Sequence, residues 1–104
     1  MLTEEHVYLP AGIDADFVMI CRGDSMINAR ILDGDIVYIR QQDTVENGEI
    51  AAVLIDGEVT LGRVWFSDGF TVVESANPLY RSHVFHEVPQ IVGKVTAFTS
   101  VFNS

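Results

Sequence analysis

Lysine is nearly missing from this chain: of 104 residues only Lys94 is a lysine, and Lys plus Arg together number 6. Against 15 Asp and Glu, this leaves a formal net charge of −9. Gripping a phosphate backbone takes clustered positive charge, so so acidic a domain is a poor candidate for direct contact with nucleic acid. Cysteine is equally scarce. Cys21 stands alone, which excludes an internal disulfide and a cysteine-based zinc cluster and suits a reduced, buried, small apolar side chain. Long apolar runs are absent too; the longest windows, around residues 50–55, are far too short to span a bilayer. Residues 1–6 are acidic, not a basic leader ahead of an apolar run, so no signal peptide is visible and a cytoplasmic domain with no membrane partner is expected. Internal repeats, low-complexity tracts and linkers are lacking as well, which leaves a single domain over residues 1–104.

What is present is enough apolar material for a core, 48% of the residues, with 20% charged. It comes in short β-rich runs: residues 16–21, 35–40, 49–55, 58–66, 70–74 and a last long one at 91–102. Asp56-Gly57 is a strong two-residue hairpin signal, and Ser67-Asp68-Gly69 punctuates a second hairpin. Strands so closely spaced, joined by hairpins, predict a mainly β, mostly antiparallel domain. The one helix candidate covers residues 25–32, with Met26, Ala29 and Leu32 on one face and Asp24 or Ser25 capping its start. Ser25 then sits where an exposed strand hands over to a short helical turn.

These residues also carry a resemblance. Arg22-Gly23-Asp24-Ser25-Met26-Ile27, then Ile31-Leu32-Asp33-Gly34-Asp35-Ile36-Val37, Asn47-Gly48-Glu49-Ile50-Ala51, Ile55-Asp56-Gly57-Glu58-Val59-Thr60-Leu61 and Val92-Gly93-Lys94-Val95 follow one another in order. Together they resemble the LexA-type autopeptidase domain, the family of the LexA repressor, λ-like phage repressors and UmuD-like mutagenesis proteins. The matches run from about Tyr8 to Phe98. The resemblance implies a highly twisted, mostly antiparallel β structure with one short helical turn after the serine, and a domain that dimerises.

The chemistry it implies is self-cleavage by a Ser–Lys dyad. A serine hydroxyl attacks well only if a base takes its proton, and a lysine is such a base only when burial leaves its amine neutral. The family serine maps onto Ser25, with backbone N–H groups of the Asp24, Ser25 and Met26 turn placed to stabilise an oxyanion. The family lysine lies in a run of the form Glu-Val-Thr-apolar-Lys-Arg. Here that run is Glu58-Val59-Thr60-Leu61-Gly62-Arg63, and Gly62 holds the lysine position. Arg63 is no substitute, since neighbouring strand residues face opposite ways and a guanidinium keeps its proton. Lys94 falls in the closing Gly-Lys-Val strand, to which the resemblance assigns no catalytic role. His83 and His86 lie in a loop-like stretch and read as surface or structural residues. A strand glycine has two bland explanations, a bulge or a close backbone approach, and it is expected to leave a hole. The sharper explanation is loss of the dyad lysine, by natural decay or deliberate inactivation.

The substrate segment departs as well. Ala11-Gly12 has the composition of a family scissile bond but lies close to Ser25, in a stretch containing Pro10, and reads as a turn. The cleavage segment and a DNA-binding helix-turn-helix domain are expected to precede this chain, which then corresponds to the C-terminal part of a longer regulator. That parent would bind operator DNA as a homodimer and be inactivated by RecA-filament-stimulated self-cleavage, with cleavage blocked here. Alternatives are a UmuD-like accessory subunit of an error-prone polymerase, a stand-alone interaction module, and a type I signal peptidase relative, which the missing lysine and membrane anchor disfavour. Asp33/Asp35 and Asp14/Asp16 read as strand-entry turns and not metal ligands, and no cofactor is implied. Trp65, Phe66 and Phe70 suit either core packing or a partner patch. Tyr80-Arg81-Ser82 reads as a solvent loop, and the closing strand, residues 95–102, as a dimer edge.

Overall fold

A computed structural model describes residues 1–4 and 9–100. They form one antiparallel sheet of eight strands: β1 (Leu2–Glu4), β2 (Phe17–Cys21), β3 (Ile36–Gln41), β4 (Ile50–Ile55), β5 (Glu58–Ser67), β6 (Phe70–Glu74), β7 (His83–Phe85) and β8 (Ile91–Thr99). The spatial order is β1-β2-β3-β8-β4-β5-β6-β7, and the sheet curls until β1 approaches β5. The mainly β expectation is met.

Both hairpin signals work as their residues dictate. Asp56 and Gly57 (φ 51° and 81°) and Asp68 and Gly69 (φ 42° and 83°) take positive φ at both central positions, the twist that joins right-twisted antiparallel strands. β4 is apolar throughout because both its faces are covered. Ala52 joins a core cluster with Leu2, Met19, Cys21, Met26, Ile31, Val37, Ile39 and Leu61. Ala51, Val53 and Ile55 join a second with Val45, Val64, Val73 and Ile91. Cys21 is buried in the first cluster, and burial pushes its thiol pKa up, as for an inert apolar side chain.

Several expectations need correction. The helix shrinks to a single 3₁₀ turn, Ile27–Ala29. Arg30 adopts a left-handed conformation (φ 67°) that ends it, so Ile31 is buried and Leu32 stays exposed. Neither Asp24 nor Ser25 caps the turn; Met26 holds the capping position without a side-chain bond. The stretch around His83 is not a loop, since β7 pairs with β6 in the register Thr71↔Phe85, Val72↔Val84 and Val73↔His83. β1 had no sequence signal and pairs with β2.

The closing strand is not a sheet edge. β8 pairs with β3 from Gly93 to Thr99, and with β4 from Ile91 to Lys94. Only from Val95 to Thr99 does its β4-facing side lack a strand partner among the described residues. Residues 101–102 of the expected run lie outside the described residues, as does Tyr8. Gly93 permits the crossing, because a Cβ there would lie 2.5 Å from the Arg40 carbonyl oxygen.

Candidate functional site

The Ser25 turn is built from polar bonds to a segment distant in sequence. Asn77 Nδ2 donates to the Asp24 carbonyl at 2.8 Å, and its Oδ1 accepts from the Leu79 amide at 3.0 Å. The Asn28 amide donates to the Ala76 carbonyl at 2.7 Å, and the Tyr80 hydroxyl donates to the Asp24 carboxylate. Asn77 is buried, and its two bonds are part-buried. The Asp24 carboxylate beside the phenol pushes the Tyr80 pKa up, because ionising the donor would break the bond and set two negative charges together. Below the turn, Met26 is fully buried against the first core cluster, which includes Leu61 of β5. On the far side, Gly23 donates its amide to Asp33 Oδ1 at 2.8 Å.

Within this frame Ser25 is half-buried, and its hydroxyl and backbone N–H, like the Met26 N–H, have no hydrogen-bond partner among the described residues. An unbonded hydroxyl beside two unbonded N–H donors suits attack on a carbonyl carbon with the resulting oxyanion received by backbone. It lacks a base.

Gly62 lies in the middle of β5, opposite Ala51 of β4, in a register that runs unbroken from Ile50↔Arg63 to Ile55↔Glu58. No bulge explains the glycine. A close approach does: a Cβ at Gly62 would overlap Val73 Cγ1 and lie 3.3 Å from the Glu74 carbonyl oxygen. The expected hole is therefore absent, because Val73 already occupies it. Ala76 and Asn77, which hold the Ser25 turn, follow Glu74 by two and three residues.

Neither alternative cation stands in. Arg63 Nη1 donates to the Gly48 carbonyl at 2.6 Å. Lys94 forms an ion pair with Glu49. Together Lys94 and the Glu46 amide hold the Glu49 carboxyl below the usual carboxylate range. Arg63 and Lys94 line a groove of about 290 Å³ with Ile31, Ile50 and Phe98, in which Ser25 takes no part.

The remaining candidates divide. Asp35 is buried and accepts the Leu32 amide at 2.8 Å. Asp14 pairs with Arg40 at 2.6 Å, and Asp16 accepts the Gln41 amide at 2.7 Å. The described residues hold no group of three or more metal-ligating side chains. Ala11 and Gly12 lie in a turn, Gly12 with φ 87°. Phe66 packs on the second core cluster, Trp65 and Phe70 are exposed, and the His86 ring meets that of Phe70 at a tilt of 48° with centroids 4.9 Å apart. Sequence reasoning missed Asn77 and Tyr80. Asn77-Pro78 signals a turn, but nothing in the sequence shows that it docks on Asp24.

With this geometry in view, the comparisons decide the family. A family model described as Peptidase S24-like matches residues 2–96. The chain belongs to the S24-like peptidase family, as a LexA-type domain. Among its relatives, the LexA repressor of Nocardioides sp. is 45% identical over 93% of this chain and 42% of that protein. The LexA repressor of an Exiguobacterium species is 42% identical over 88% of this chain and 46% of its own length. That of Thermotoga maritima is 39% identical over 85% and 45%. The LexA-type domain thus spans less than half the length of the curated relatives it matches. No helix among its described residues is long and apolar enough to cross a membrane.

Proposed function

We propose that this LexA-type domain is the C-terminal regulatory part of a cytoplasmic LexA-like or prophage transcriptional repressor. Ser25 holds the nucleophile position and Gly62 the position of the missing general-base lysine, so self-cleavage stops at proton transfer. The observation that carries this reading is the pairing of an unbonded Ser25 hydroxyl with a β5 strand in which glycine, packed against Val73, stands where the family places its amine. Attack would require the Oγ proton to pass to a base as the new C–O bond forms, and among the described residues no lysine amine hydrogen-bonds to Ser25 to accept it, Lys94 being paired with Glu49.

The other roles follow from the same assignment. An N-terminal domain of the parent would contact operator DNA, since a domain with formal charge −9 is unsuited to it. This domain would supply dimerisation and the surface that answers a RecA filament. The side of β8 open from Val95 to Thr99, above a groove lined by Ile31, Ile50 and Phe98, supports pairing with a second copy. The names and lengths of the relatives favour a repressor over a UmuD-like subunit.

The test is to express the natural reading frame including its upstream codons and incubate the protein at alkaline pH, with and without RecA filaments. Intact mass is expected to stay unchanged. Efficient scission that disappears in Ser25→Ala would contradict the assignment of Gly62.

A further inference from the structure

The backbone at Gly62 does not call for glycine. Its φ lies outside the left-handed region and its strand is regular, so any L-residue fits the local conformation. What excludes a side chain is tertiary. Val73 of β6 directs Cγ1 into the volume a Cβ at 62 would fill, while the Glu74 carbonyl oxygen and amide nitrogen close the same side at 3.3 and 3.6 Å. Val73 is 1% exposed and packs with Ala51, Val53, Val64 and Ile91. Being β-branched, it is stiff about χ1, so rotating Cγ1 away means driving a methyl into that cluster.

We propose that Val73 is the plug of the base arm: it has taken the volume that the side chain at position 62 would need, so that a lysine restored there alone cannot be seated towards Ser25. The plug rests on the assignment of Gly62 to the dyad position made above, and it adds a second residue to the loss of the base. Inactivity is then a property of the Gly62–Val73 pair, and reversal needs both members to change. Nothing in the hairpin at Asp68-Gly69 or in the Ser25 turn would have to move.

The first test is a double-mutant cycle on thermal unfolding, which needs no activity. In a regular strand Gly→Ala normally helps, because glycine loses more backbone entropy on folding. Here Gly62→Ala is expected to lower Tm by several degrees, on the order of 4–8 °C, from overpacking. In the Val73→Ala background the same substitution is expected to cost little or raise Tm. Equal effects of Gly62→Ala in both backgrounds would overturn the plug.

The second test separates the plug from the dyad assignment. Gly62→Lys and Gly62→Lys/Val73→Ala are treated with a fluorophosphonate at alkaline pH, and labelling is followed by intact mass. In that reaction Ser25 Oγ bonds to phosphorus, its proton passes to the amine at 62, and fluoride leaves. The double variant is expected to label on the order of a hundredfold faster than Gly62→Lys, with Ser25→Ala abolishing the signal. Should Gly62→Lys alone keep the parental Tm and label as fast as the double variant, the plug is overturned and the dyad assignment stands. A folded double variant that labels no faster than the unmodified chain overturns the dyad assignment instead, and the unfolding cycle still judges the plug.

Discussion

Under the proposed assignment the Ser25 turn and the Gly62 strand would be the two arms of one site, and they are held in opposite ways. The turn is fixed by polar groups reaching across from residues 76–80: the Asn77 side chain on the Asp24 carbonyl, the Ala76 backbone carbonyl accepting the Asn28 amide, and the Tyr80 hydroxyl on the Asp24 carboxylate. The Gly62 position is fixed by apolar contact in the interior, where Val73 fills the available volume. A polar clamp can persist after the chemistry it once served has gone, because its bonds satisfy polar groups of the fold itself. An apolar slot cannot stay empty, since unfilled volume in a close-packed interior is costly. Under the proposed assignment, that difference would leave the nucleophile turn with its polar frame while the base position is filled by Val73.

The largest effect is expected from the apolar residue beneath the Ser25 turn. Met26 lies directly after Ser25 and shares the first core cluster with Leu61, whereas the Cβ direction at Gly62 meets Val73 of the second, so Met26→Ala should loosen the Ser25 turn first. About 2–5 kcal/mol of stability should be lost in denaturant unfolding. Asn77→Ala strikes the polar arm alone. It removes the bonds to the Asp24 carbonyl and the Leu79 amide, both on exposed residues that water can reach, and should cost about 0.5–1.5 kcal/mol. Amide exchange should quicken across residues 23–28 while the hairpin of β4 and β5 keeps its protection.

A smaller effect distinguishes the sole lysine from a base. The Glu49 carboxyl is held low by Lys94 and the Glu46 amide, so its contribution to stability is present above the unfolded carboxylate pKa and is lost as pH falls through the folded value. Glu49→Gln should flatten that part of the acid limb, at a cost below about 1 kcal/mol at neutral pH. Tyr80→Phe should be the mildest change, leaving global unfolding nearly untouched and speeding exchange only around Asp24. The raised phenol pKa reverses the sign: its stabilisation is present below the unfolded tyrosine pKa and fades as pH rises through the folded value. Ring signals of Tyr80 should therefore titrate at higher pH in the parent chain than in Asp24→Asn.

How much of this was legible in the sequence follows the same division. β4, β5 and β6 could be read because their signals are local: β-rich runs joined at Asp56-Gly57 and Asp68-Gly69, whose positive φ the turns require. β1 and β7, of three residues each, exist through the strands beside them and left no pattern to read. The helix was overdrawn because its spacing suited a longer one, and only the left-handed Arg30 ends it after one turn. The positions of Ser25 and Gly62 came from ordered motifs. Their surroundings did not, because Asn77, Tyr80 and Val73 reach them through tertiary contacts that no spacing encodes. The substitution at 62 was read as leaving a hole, and the answer to that hole lay on another strand.

The most direct measurement of the central claim is the pH dependence of Ser25 reactivity in the unmodified chain. Labelling by a fluorophosphonate, followed by intact mass from neutral to strongly alkaline pH, should remain at the level of Ser25→Ala, with no inflection that marks an amine losing its proton. Fast, Ser25-dependent labelling that rises through such an inflection with Gly62 in place would show that a base reaches the serine after all, and would contradict the account.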